Sequence, residues 1–208
     1  MKLWLKHYWQ DLISDYADTA LMDTLWTTIV SKYTSKNRHY HNLSHIYTMY
    51  LQLEGFTNEI EDLESLKLAI WFHDIIYKST NIDNETLSAD FAAKALNKLP
   101  TDVFNIEKIT NLIISTKKHK CLLTENNDNA YLLDLDLSIL GTDWKTYSTY
   151  LQKIRKEYKI YPDIIYKPGR KKILKHFLER DTLYFTERFK TQFEKQARNN
   201  LMREINTL

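Results

Sequence analysis

The chain reads as an all-α protein, and three observations carry that reading. Apolar residues recur at intervals of three and four along nearly its whole length, the period of an amphipathic helix, and almost nowhere alternate at two. Glycine and proline are scarce, 3 of each in 208 residues, about a quarter of the roughly 12% that an average globular chain carries. Sandwiches, barrels and propellers need a turn residue every ten positions or so. Gly55, Gly141 and Gly169 also stand far apart, so no glycine cluster is present to bring backbone against a phosphate.

The elements follow in order. Trp4, Leu5, Tyr8, Trp9, Leu12 and Ile13 mark a first helix, and Leu21, Leu25, Trp26, Ile29 and Val30 a second. A polar stretch over 34–41 separates them from a third helix over about 42–54, which Gly55 ends. The fourth spans about 59–77 and stops at the polar run 78–84. Further helices are expected near 84–98, 101–118, 128–140, 143–159, 170–180 and 185–206, with boundaries at Pro100–Thr101 and Gly141 and a long loop over 161–169 that holds two prolines. No repeat, low-complexity tract or long linker divides the chain. One helical domain over 1–208 is expected, with a metal-binding core at about 38–141 and C-terminal helices over 143–206 packed on it. The aromatic stripes of the first and last helices read as core packing.

Charge narrows the partners. Lys+Arg 29 against Asp+Glu 27 leaves a net charge of +2, too little for a global field that attracts nucleic acid or anionic membrane, so any anion site is local. Cys121 is the single cysteine and cannot form an intramolecular disulfide. The opening MKLWLKHYWQDL lacks a signal-peptide core, and apolar runs fall short of the ~18 residues of a membrane span. These features predict a cytoplasmic protein without nucleic-acid or membrane partners.

Three places break the apolar stripes with metal-binding side chains. Leu63, Leu66 and Ile70 continue by three and four onto His73, Asp74 and Tyr77, which places the His73–Asp74 pair on an inward face. In YLLDLDLSIL the stripe Leu132, Leu133, Leu137 and Leu140 surrounds Asp136, whereas Asp134, two residues earlier, turns outward on the same wheel. His45 opens a row with Met49 and Leu53, preceded by Arg38, His39 and His41. A buried carboxylate needs a strong partner to stay ionised. Two imidazoles and two carboxylates suit a divalent ion such as Mn, Fe, Co, Ni or Zn, with Mg a further possibility.

The order His45, His73–Asp74, Asp136 resembles the H…HD…D pattern of the HD superfamily of metal-dependent phosphohydrolases, all-helical proteins that bind a divalent metal. The wording RHYHNLSHI, LAIWFHDIIY, NETLSAD, DLDLSILG, RKEY, PGRKKIL and ARNNLMRE, from Arg38 to Glu204, resembles a poorly characterised branch of predicted phosphohydrolases. The resemblance implies that His45, His73, Asp74 and Asp136 are metal ligands. Leu135 departs from the small residue that commonly precedes the last aspartate, which keeps Asp134 as a substitute. His41 and His119 are candidates for supporting a ligand or holding a second ion.

Hydrolysis of a phosphate ester needs a metal-activated water and cationic donors for the phosphate oxygens. Arg38, Lys117, Lys118 and Arg170 are the candidate donors, the lysines otherwise being a solvated helix end. Glu85 is the candidate to orient the water or to hydrogen-bond a ligand histidine, or else the acidic first turn of its helix. The sequence therefore points to a metal-dependent phosphohydrolase of a small phosphorylated substrate, a nucleotide or related metabolite. Two other functions fit the same residues: a binding module that holds metal or nucleotide without turnover, and di-iron oxygen chemistry on the same scaffold.

Overall fold

A computed structural model describes residues 1–99 and 104–208. Among them the chain forms ten α-helices, joined by turns and two short 3-10 segments, and no strand. The helices are α1 (Lys2–Ile13), α2 (Thr19–Tyr33), α3 (Leu43–Leu53), α4 (Leu63–Phe72), α5 (Asn84–Leu96), α6 (Ile106–Ser115), α7 (Asp128–Leu137), α8 (Trp144–Glu157), α9 (Asp163–Leu178) and α10 (Glu187–Thr207). The expected boundary at Pro100–Thr101 lies outside the described residues. No helix among the described residues is long and apolar enough to cross a membrane.

Helix starts are set by local chemistry. Asp18, Asn42, Asp62, Asn105, Asp143 and Thr186 each accept a backbone N–H of the first turn that follows, which satisfies a donor that the helix leaves unpaired.

Two differences from the sequence expectation have physical causes. The fourth helix ends at Phe72, not near Tyr77, so His73 is its C-terminal cap and Asp74 lies in the turn beyond. Side chains take over the backbone groups that another helical turn would have used: Arg38 holds the carbonyls of Asp74 and Ile75, and Ser88 brackets Ile76 at both its N–H and its carbonyl. The loop expected over 161–169 is instead the start of α9, with Pro162 as N-cap and Pro168 inside the helix. Proline's fixed φ suits a helix start, whereas an interior proline removes one hydrogen bond to the preceding turn. The carbonyl deprived of that bond belongs to Ile164, which is 82% exposed, so water satisfies it.

The chain divides into two compact units, Met1–Leu132 and Leu133–Leu208, with the division inside α7. The core of the first unit is aromatic. Trp71 meets Trp9 and Trp26 edge to face, at centroid distances of 5.7 and 6.1 Å. The Tyr33 hydroxyl donates to the Trp71 carbonyl and that of Tyr50 to the Lys67 carbonyl, so each tyrosine is buried with its polar end satisfied. The first turn of α7 is tied down by Asp128, whose carboxylate accepts the N–H groups of Glu61 and Asp62 and pairs with Lys108 Nζ at 2.9 Å.

In the second unit α10 lies against the 3-10 turn Ser138–Gly141. Asn200 donates to the carbonyls of Leu140 and Thr142, both at 2.8 Å. A side chain at Gly141 would come within 2.9 Å of Phe193 Cα, so glycine there permits the close approach.

Candidate metal centre

His45 sits in the first turn of α3 and His73 caps α4, and both rings are buried. Their Nε2 atoms face each other at 3.2 Å, and Asp74 Oδ2 lies 3.2 Å from His73 Nε2. His73 Nδ1 is 2.9 Å from the Ile70 carbonyl. A carbonyl only accepts, so Nδ1 carries a proton and Nε2 is the ring atom turned toward its neighbours. His73 Nε2 thus meets a second imidazole nitrogen and a carboxylate oxygen. The facing nitrogens share a proton across their 3.2 Å contact or else a cation, and a carbonyl behind the ring, as behind His73, is the usual support of a metal-binding histidine. His45 and His73 belong to a group of side chains that could hold a metal ion, a group that does not include Asp74, and imidazole nitrogens suit a divalent first-row cation.

The surroundings hold this arrangement in place. Arg38 is 9% exposed. Its Nη1 donates to the carbonyls of His41 and Asp74, and its Nη2 to that of Ile75 at 2.9 Å. The guanidinium also lies over the rings of Tyr33 and Tyr77, at 4.9 and 5.6 Å. Both terminal nitrogens are thus committed to main-chain carbonyls. The sequence expectation of a phosphate donor gives way to a clamp that fixes the turn carrying Asp74. His41 stacks on Tyr77 at 4.1 Å, and its ring centroid is 6.2 Å from that of His45, beside the histidine pair as a supporting group would be.

Glu85 stands in the first turn of α5. That turn is stitched to the segment after Asp74: Asn84 accepts from Lys78 N and donates to the carbonyls of Lys78 and Asn81. Burial pushes the Glu85 carboxyl above its ordinary range; the nearby Asp74 charge adds to this, while Lys117 and His119 oppose it. Glu85, Asp74, Lys117 and His119 are therefore electrostatic neighbours. Lys117 also pairs with Asp83 at 2.8 Å, and Lys118 lies exposed just past the end of α6. His119 adopts a left-handed backbone, φ 44°, the only non-glycine residue among those described to do so.

In the second unit the expectation for Asp134 is overturned. It is wholly buried rather than outward-facing, and its carboxylate accepts from Phe185 N, Thr186 N and the Thr186 hydroxyl at 2.7, 2.8 and 2.7 Å. Both oxygens are occupied, which removes Asp134 as a substitute ligand. Leu132, Leu133 and Leu135 are as fully buried as Asp134, so this helix has no outward face at that turn. Asp136 is half-buried on the same helix, and its charge helps to raise the Tyr150 hydroxyl pKa, an effect led by burial.

Arg170 is likewise reassigned. Its Nε and Nη2 grip Glu204 at 2.7 and 3.1 Å, and Nη2 also reaches the Tyr150 hydroxyl at 3.3 Å. Glu204 also accepts the Tyr147 hydroxyl. This buried network leaves the guanidinium paired rather than open to phosphate. Ser88 was not singled out in the sequence, and Tyr77 only as the end of the stripe that carries His73. The signal for Ser88 was a hydroxyl on the buried small-residue stripe it shares with Ala92 and Ala95, whereas the period placed Tyr77 inward without marking its contact with Arg38 and His41.

No protein-family model, no curated protein and no solved structure matches the chain.

Proposed function

We propose that this protein is a cytoplasmic metal-dependent phosphohydrolase of the HD type, in which His45, His73, Asp74 and Asp136 hold a divalent cation and a small phosphate ester, a nucleotide or related metabolite, is cleaved by water. The observation that supports the reading is the pair of buried imidazoles, His45 and His73, with Nε2 atoms 3.2 Å apart and His73 backed by a main-chain carbonyl, in a group of side chains that could hold a metal ion. The ordered H…HD…D likeness supports Asp136 as the fourth ligand. Its lone cysteine, Cys121, suits a reducing compartment.

A divalent ion so held lowers the pKa of its water and polarises a phosphoryl oxygen. The chain supplies the rest. Glu85, its carboxyl raised by burial, takes the proton of the attacking water. Lys117, with Lys118, offers cationic donors to phosphate oxygens, and Arg38 keeps Asp74 in position through its carbonyl.

The test is a hydrolysis screen over a nucleotide panel with added Mn²⁺, Co²⁺ or Ni²⁺, with metal content measured on the same preparation. Phosphate release that depends on metal and disappears with chelator is the expected result. Tight nucleotide binding with no product at any metal concentration would make the protein a binding module, and two irons per chain would make it an oxygen-chemistry enzyme.

A further inference from the structure

The total charge of the chain conceals a local concentration of lysine on α9. The helix carries Lys167, Lys171, Lys172 and Lys175. Its acidic residues are Asp163, which is already paired with Arg155 at 2.7 Å, and Glu179 at the C-terminal cap. At 3.6 residues per turn, Lys171, Lys172 and Lys175 fall on one side of the helix, and Arg170 and Leu174 on the other. Arg170 is neutralised by Glu204, so the inward side is settled; Glu179 shares the outward side with Lys171, Lys172 and Lys175, which leaves that side net positive.

The same side carries apolar residues that the fold does not use. Leu174 is the only residue of α9 that is fully buried. On the lysine side Ile164 is 82% exposed and Ile165 58%; Ile173, 50% exposed, lies farther round the helix, and Ile160, 66% exposed, precedes it. A single exposed isoleucine needs no explanation, but the adjacent pair Ile164 and Ile165 on the side that carries the lysines forms an apolar patch beside them.

We infer that the outward side of α9 docks on an anionic phospholipid surface, with the isoleucines entering the acyl boundary and the lysines reaching the headgroups. An interfacial helix has this composition, an apolar set flanked by lysines whose stems lie along the apolar surface while their ammonium groups stay with the phosphates. The charge fits the negative surface potential of such a leaflet, where each lysine near the surface contributes. A second copy of the chain is disfavoured because it would bring one lysine face against another. Single-stranded nucleic acid is disfavoured because the outward side offers isoleucine, not the aromatic platforms on which bases stack.

The experiment is co-sedimentation of the full chain with vesicles of phosphatidylcholine alone and of phosphatidylcholine mixed with phosphatidylserine, at low and raised salt, with sedimentation equilibrium in the absence of lipid. Binding should appear only with phosphatidylserine and weaken with salt. Reversing three charges in Lys171→Glu/Lys172→Glu/Lys175→Glu should weaken it by at least about 100-fold, and Ile164→Ser/Ile165→Ser should weaken it at unchanged charge. All five positions lie on the helix surface, so the melting temperatures of the variants should match the wild type. Failure to bind phosphatidylserine vesicles at low salt, or equal binding by the lysine variant, overturns the inference. So does a dimer in the absence of lipid that the isoleucine variant dissociates.

Discussion

Thr186 meets Asp134 twice: its main-chain N–H and its hydroxyl both reach Asp134 Oδ2, at 2.8 and 2.7 Å. The same hydroxyl oxygen accepts the Phe189 N–H at the start of α10, so the aspartate fixes the residue that caps the last helix. Burial pushes the Asp134 carboxyl up to about 6 in spite of its three donors.

A raised carboxyl pKa means that the folded state binds the proton more tightly than the unfolded state does. The contribution of Asp134 is therefore fully present below about pH 4 and is lost as pH rises through about 6, a change on the order of 2–3 kcal/mol. Asp134→Asn removes this dependence. In urea titrations the wild type should lead the variant by more at acid pH than at neutral pH, and metal content should not change. A gap that widens toward neutral pH would contradict the assignment.

The Asp134 result shows how far the sequence reaches. Apolar period located all the helices outside 161–169 and placed His45 and His73 inside, where both are buried. Period separates faces only where one face is wet. Along α7 Leu132, Leu133, Asp134 and Leu135 are all fully buried, so the wheel that assigned Asp134 to the surface had no surface to assign. The end of α4 was hidden for a different reason: residues from distant segments, Arg38 and Ser88, stop the helix after Phe72. The start of α9 was hidden because Pro168 is tolerated where its helix meets solvent.

Arg38→Lys is expected to act through position rather than through substrate. An ammonium cannot reproduce the planar fork that meets carbonyls of His41, Asp74 and Ile75. Leaving one of them unpaired near the core costs about 1–3 kcal/mol, and a loosened Asp74 should weaken metal binding by about 10-fold or more. Calorimetric metal titration and a thermal melt both report it. Reduced turnover with unchanged metal affinity and stability would return Arg38 to the substrate.

Glu204→Gln should be the most damaging single change in the second unit. Arg170 would keep its charge, mostly buried, with its carboxylate partner gone, and the amide would leave Arg170 and Tyr147 one acceptor oxygen where they now have two. Removing one member of such a pair costs about 3–5 kcal/mol, whereas replacing both with apolar residues is often tolerated. Urea denaturation should therefore show Glu204→Gln to be less stable than the double variant Arg170→Met/Glu204→Leu. Equal stability of the two would mean that the network carries little of the packing of α10.

Glu85→Gln tests the proposed proton acceptor while leaving the metal ligands untouched. With the water proton lacking its acceptor, kcat should fall by about 10²–10⁴-fold with metal content unchanged. The acid limb of the wild-type pH profile should lie above the ordinary carboxylate range, because burial and the Asp74 charge both raise Glu85, and the limb should vanish in the variant. Stability should move the other way. A carboxyl with a raised folded pKa contributes most below its unfolded value and loses that contribution as pH rises, so at neutral pH the uncharged glutamine should melt higher than the wild type. A variant that melts higher, keeps its metal and still turns over at the wild-type rate would leave Glu85 as the acidic first turn of α5 and nothing more.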